Sequence, residues 1–142
     1  MLGPALAHAF ELPNKIVLPR DEYFIVQKIY RGWNSFSVLL VVQVISLVAA
    51  AFLVRRQPRV LIPTVLAIVF VAAAQVLFWS YTYPANVATA NWTVQPDNWA
   101  MLRQHWEYSH AAGAGLQVVG LCCLIIAVVS RLPTRSRAYH YY

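Results

Sequence analysis

Long uncharged apolar stretches alternate along this chain with short polar connections. Residues 35–54, 60–96 and 111–130 contain no charged side chain. Each holds enough apolar positions to cross a hydrocarbon core, which takes about 20. The pattern predicts long helices over about 22–54, 60–83 and 99–131, and a short one over about 2–12. At about 1.5 Å per residue, the short helix reaches only halfway through a bilayer. Residues 13–20 lie between two prolines and read as a loop, because each proline disfavours helix at the residue before it. Asp21 is a suitable N-cap for the next helix, with Glu22 favourable in its first turn. Pro58 marks the turn at residues 55–59, and residues 84–98 form the longest connection, with Asp97 or Asn98 capping the last helix. The expected architecture is all-α. It is an integral membrane four-helix bundle, up-down-up-down, with a shortened first helix, in one domain over residues 1–142.

Composition agrees with that pattern. The chain is 60% hydrophobic and 11% charged, whereas soluble domains are about half apolar and about a quarter charged. The net charge of +6 changes the picture only through its distribution. Arg55, Arg56 and Arg59 fill one loop, and Arg131, Arg135 and Arg137 fill the C-terminal end; the remaining charges cancel. The positive-inside rule therefore puts the 55–59 loop and the C-terminus in the cytoplasm, as for a protein of a bacterial inner membrane. The basicity is topological, so the expected partner is the lipid bilayer and no nucleic acid. His140 in the tail reads as a solvated residue. Cys122 and Cys123 are adjacent and deep in an apolar run, without a CxxC spacing, so they read as packing residues and not as a redox pair. Residues 111–115, AAGAG, form a small-residue surface that allows close helix approach.

The candidate chemistry gathers at the start of the last helix. Glu107 and His110 are i and i+3 and share a helix face, which Arg103 joins and Gln117 extends. Ionisable groups on a membrane helix are costly and point to function. His8 and Glu11 repeat the pair in reverse order near the N-terminus. In an up-down-up-down bundle the first and last helices are neighbours, so the two pairs face each other. Carboxylate-based metal sites in bundles use such Glu-x-x-His pairs with further carboxylates, which are missing here. The set His8, Glu11, Glu107 and His110 would suit one transition-metal ion (Fe, Cu, Zn or Mn, with His105 near for Cu). Haem between His8 and His110 is the less favoured cofactor. A metal-free polar active site remains open, as does a structural network in which Glu107 pairs with Arg103 and Lys15. Gln27, Arg31 and Asn34 recur at helical spacing with Tyr23 and Tyr30, forming either a wet interfacial face or another wall of the site. The five tryptophans (Trp33, Trp79, Trp92, Trp99 and Trp106) all fall on the extracytoplasmic half, as an interfacial belt or as the lining of an aromatic pocket.

The segments LAHAFELPNK (6–15), VQKIYRGWN (26–34), YPANVATANW (83–92) and WAMLRQHWEYSH (99–110) resemble the anthrone-oxygenase-like family of small membrane proteins. With their hydropathy they cover nearly the whole chain. The resemblance implies oxygenation of a polycyclic aromatic anthrone to a quinone, without a conventional flavin or haem. It carries Asn86, Arg103, Glu107 and His110 over as site residues, joined by His8, Glu11 and Asn14. The family begins with a longer first helix, and this chain starts late in it.

Two functions follow as expectations. One is an oxidoreductase or monooxygenase acting on a hydrophobic aromatic or quinone-like molecule. Glu107 or His110 would be the general base, Arg103 and Asn86 would stabilise the developing oxyanion, and Trp79, Trp92 and Trp106 would flank the ring. Asn14, Gln27 and Asn34 would contribute further substrate contacts. The other is a non-catalytic subunit of a homo-oligomer or larger membrane complex, binding lipid, pigment, haem or quinone. A channel is disfavoured, because no polar row continues to the cytoplasmic end.

Overall fold

The computed structural model describes residues 1–131; Arg135, Arg137 and His140 of the tail lie outside them. The described residues are helical and contain no strand. Helix α1 is Leu2–Lys15, α2 is Arg20–Val26, α3 is Ser37–Leu53, α4 is Pro58–Leu77, α5 is Tyr83–Ala88 and α6 is Trp99–Arg131. Single 3-10 turns at Gln27–Tyr30 and Trp33–Phe36 link α2 to α3, and a π turn at Phe78–Thr82 joins α4 to α5.

Three spans, Trp33–Leu53, Pro58–Ala88 and Trp99–Arg131, are long and apolar enough to cross a membrane. Helix α6 is the centre of the fold, packing most extensively on α4 and next on α1. The α4–α6 seam is antiparallel. Val60 clusters with Ala127 at one end, and Thr82 bonds Ser109 towards the other. Small residues let the backbones close in between. A methyl group built on Gly120 would sit 3.5 Å from the Ala67 carbonyl oxygen, and one on Gly113 would sit 4.0 Å from the Ala74 side chain. Helix α3 touches chiefly α4, and only 6% of its apolar window is buried, against 28% for each of the other two spans.

Three elements differ from the sequence expectation, each for a local reason. The helix expected over 22–54 is broken, because Gly32 adopts a left-handed φ of +87° between the two 3-10 turns. A side chain there is strained by about 1–2 kcal/mol even though the surrounding space is open. Gly32→Ala is therefore expected to lower thermal stability by a few degrees, measurable by heating the detergent-solubilised protein. Helix α1 passes the expected stop at Pro13 and ends at Lys15, where the tertiary contacts of Lys15 described below offset the backbone hydrogen bond that Pro13 cannot make. The third helix does not stop at Tyr83 either. Pro84 lacks an N–H and its ring crowds the carbonyl of Ser80, and the chain accommodates this by widening into the π turn before continuing to Ala88.

Candidate functional site

The site lies where α1 and α2 meet the first turns of α6. The chain from α1 into the following loop runs antiparallel to the start of α6: His8 faces His110, Lys15 faces Glu107, and Leu18 faces Arg103. The sequence places His8, Glu11 and Lys15 at i, i+3 and i+7, one helical face, once α1 is allowed to run through Pro13.

Glu107 is at the centre and has no exposed surface. Its Oε1 accepts from the Tyr23 hydroxyl at 2.9 Å and lies 2.9 Å from Lys15 Nζ. Its Oε2 is buried without a partner. Lys15, only 3% exposed, also donates to the Tyr30 hydroxyl at 2.9 Å. Tyr30 passes a hydrogen bond on to Glu11, and the Gln27 amide donates to Tyr23. The result is one hydrogen-bonded chain from the half-exposed Glu11 through Tyr30 and Lys15 to the sealed Glu107, and on to Tyr23 and Gln27. Burial, followed by the nearby carboxylates, raises both phenols above their ordinary range, so each keeps its proton and acts as a donor. Burial pulls the Lys15 ammonium down, and the Glu107 carboxylate opposes that shift.

The two histidines form an adjoining aromatic wall. Their ring centroids are 4.3 Å apart, and His8 also contacts Tyr30, Trp33 and Trp106. His110 Nδ1 lies 2.8 Å from the Trp106 carbonyl oxygen, which can only accept, so Nδ1 carries the proton and Nε2 keeps a lone pair. His8 Nδ1 is buried and unpartnered, 4.0 Å from Glu11. Burial, then the facing His110 and Lys15, pushes the His8 pKa down to about 2. With its folded value below the unfolded one of 6.5, His8 binds a proton more readily in the unfolded chain. Its contribution to stability is present above about pH 6.5 and is lost as pH falls, at up to about 1.4 kcal/mol per pH unit. Thermal unfolding at pH 7.5 and 5.5 is expected to show a drop at the lower pH that His8→Phe reduces.

The remaining predicted residues fall in several places. Asn86 is beside the site, where its Oδ1 accepts from the indole N–H of both Trp92 and Trp106, at 3.1 and 2.9 Å. Both indoles are buried in a cluster with Tyr23 and Phe24. Arg103 does not reach Glu107. It donates to the Leu18 carbonyl at 2.8 Å and stacks over Trp99 and Tyr23. Gln27 is buried within the network, but Asn14, Asn34 and His105 are exposed, and Trp79 is 59% exposed against Tyr83. The break at Gly32 takes Arg31 and Asn34 off the face that Tyr23 and Gln27 share. Lys15, Tyr23 and Tyr30 emerge as central members of the site; the sequence offers Lys15 only as a structural partner of Glu107, a pairing the structure contains, and Tyr23 and Tyr30 only by their helical spacing with Gln27. The Tyr23–Gln27 spacing of four was the available signal for one.

The expected metal does not fit this geometry. Among the described residues no group of three or more His, Cys, Asp or Glu side chains converges as a metal site. His8, Glu11, Glu107 and His110 are neighbours, but Lys15 pairs with the innermost carboxylate and the imidazoles pack directly against each other, tilted by 52°. Rings in contact also leave no gap for a haem between them. Two shallow cavities, one near Phe24 and Trp92 and one at the 57–60 turn, are lined by none of Lys15, Glu107, His8 or His110. Compared with known proteins, the chain matches no family model, no curated protein and no solved structure.

Proposed function

We propose that the chain spans a bacterial inner membrane as an up-down-up-down four-helix bundle, with α1 as its short first helix and residues 55–59 and the C-terminus cytoplasmic. In this reading the Lys15–Glu107 centre, near the opposite face, handles protons for an oxidoreductase or oxygenase-like reaction on a hydrophobic aromatic or quinone-like molecule. The observation that carries it is Glu107 itself, a carboxylate with no exposure, one oxygen held by Lys15 and Tyr23 and the other buried and unbonded. A hydrogen-bond acceptor left free in a dry site is costly unless something uses it. The resemblance of residues 99–110 to the anthrone-oxygenase-like family supports the same residue. Glu107 acts as the base for an activated C–H that reaches it by displacing the side chains sealing the site. Arg103 is turned to the Leu18 carbonyl, Asn86 is held through its oxygen by Trp92 and Trp106, and the Tyr30 proton goes to Glu11. Lys15, with one N–H beyond those given to Glu107 and Tyr30, is therefore the donor for a developing enolate oxygen. An enolate is the electron-rich form that dioxygen oxidises.

Proton abstraction can be read without any oxidant. With the protein in nanodiscs under argon, exchange of deuterium into the benzylic position of an anthrone-type carbon acid is expected to accelerate. Glu107→Gln is expected to remove about a hundredfold or more of that acceleration. Equal rates for wild type and Glu107→Gln, or a wild-type rate equal to that of empty nanodiscs, would sink the reading.

A second reading, a subunit packing against further helices, is favoured by the bare α3. Purification in mild detergent distinguishes it: a lone monomer argues against it, and a defined homo-oligomer or co-purifying complex supports it.

A further inference from the structure

The surroundings of Lys15 Nζ are those of a receptor for an organic cation. The nitrogen lies 4.4 Å from the centroid of the Tyr30 ring, 4.5 Å from that of Trp106 and 5.6 Å from that of Tyr23. Aromatic rings at such distances attract an ammonium, and more strongly when water is excluded, with Tyr30 meeting the nitrogen at its hydroxyl end. The Glu107 carboxylate closes the cage at 2.9 Å, and the Tyr30 hydroxyl accepts a further hydrogen bond at 2.9 Å. These contacts come from three separate elements: Tyr23 from α2, Tyr30 from the 3-10 turn after it, and Glu107 and Trp106 from α6. The lysine arrives from a fourth, as the last residue of α1. The four cage side chains therefore come from outside α1, which contributes the occupant and, through Glu11 and His8, contacts that steady Tyr30 and Trp106.

We propose that Tyr23, Tyr30, Trp106 and Glu107 form a recognition site for a primary alkylammonium group, which the chain fills with its own Lys15. Helix α1 is in this sense a tethered ligand. The tether gives Lys15 an effective concentration that a free amine must exceed, so the intact protein holds the site closed to outside amines. The site goes beyond the proton-handling role of Glu107 and does not depend on it, since it concerns binding alone. Two polar contacts to the nitrogen, from Glu107 and Tyr30, set the specificity. A primary ammonium can donate to both, whereas a quaternary one cannot donate at all.

Removing the lysine side chain opens the cage. Lys15→Ala in nanodiscs is expected to bind radiolabelled ethylammonium saturably, while wild type shows no saturable binding over the same range. Adding Glu107→Gln is expected to weaken that binding about tenfold or more, and tetramethylammonium is expected to bind about tenfold more weakly than ethylammonium. A helical, monodisperse Lys15→Ala protein that binds no ethylammonium overturns the proposal. So does one that binds both cations alike, or one whose binding is unchanged by Glu107→Gln. Should Lys15→Ala not fold, the wild-type protein gives a second measurement. Lys15 and Lys28 are the only lysines, and Lys28 is exposed. Reductive methylation is expected to modify Lys28 about tenfold or more faster than Lys15, and Glu107→Gln is expected to narrow the gap. Equal labelling of the two lysines in wild type overturns the proposal as well.

Discussion

Glu107→Leu is expected to destabilise the protein by about 3–5 kcal/mol, because it leaves the Lys15 ammonium buried with no counter-charge. It also strands the Tyr23 hydroxyl, whose acceptor is Glu107. In thermal unfolding this corresponds to a loss on the order of 10 °C. The informative comparison is the double variant Lys15→Leu with Glu107→Leu. Removing both charges removes both desolvation penalties, so the double variant is expected to be more stable than Glu107→Leu alone. Simple addition of the two single losses would show that Lys15 and Glu107 do not act as a pair. The contrast separates two properties of the centre: a buried ion pair is a weak source of net stability, but half of one is a severe defect.

The second large effect is expected at Asn86. One amide oxygen satisfies two buried indole N–H groups, so Asn86→Leu leaves both without an acceptor. Each stranded donor costs about 1–3 kcal/mol, giving about 2–6 kcal/mol in all. Asn86→Asp keeps an acceptor of the same shape and is expected to lose far less. Chemical or thermal unfolding of the two variants side by side checks this, and equal losses would mean that the amide oxygen is not what holds Trp92 and Trp106. The resemblance to an oxygenase family made Asn86 a catalytic candidate, whereas its contacts make it the fastener between the 84–92 segment and α6.

Residues whose environment is set by hydropathy were legible in the sequence. The spacing predicts helix over 99–131, and α6 occupies Trp99–Arg131; of the small residues at 111–115, Gly113 faces Ala74 at ordinary contact distance and Gly115 faces open space, and the nearer approach is at Gly120. The neighbourhood of His8 and Glu11 with Glu107 and His110 followed from pairing the first and last helices. What escaped were backbone decisions settled by tertiary contacts. Pro13 and Pro84 read as stops, yet both lie within helical segments, because a buried ion pair on one side and a widened turn on the other absorb them. Gly32 was passed over inside a helical pattern, although an isolated glycine is a local warning of a break. The pairing of Lys15 with Glu107 is among the alternatives the sequence offers, but with α1 ending at residue 12 nothing puts Lys15 on the face of His8 and Glu11. Lys15 lies four residues after Glu11, but that spacing matters only if the helix continues.

The π turn at Phe78–Thr82 bears on how this protein can change over generations. A wide turn holds one residue more than the α-helical register would need there, and each residue turns a helix by about 100°. Substitutions within Phe78–Thr82 leave that register alone. Loss of a single residue would restore a regular helix and swing the segment beyond it, carrying Asn86 and Trp92 together away from Trp106. The length of the segment should therefore stay fixed even where its exposed side chains drift, with Thr82 held by its bond to Ser109, since no later side chain can correct a rotation of the whole helix end.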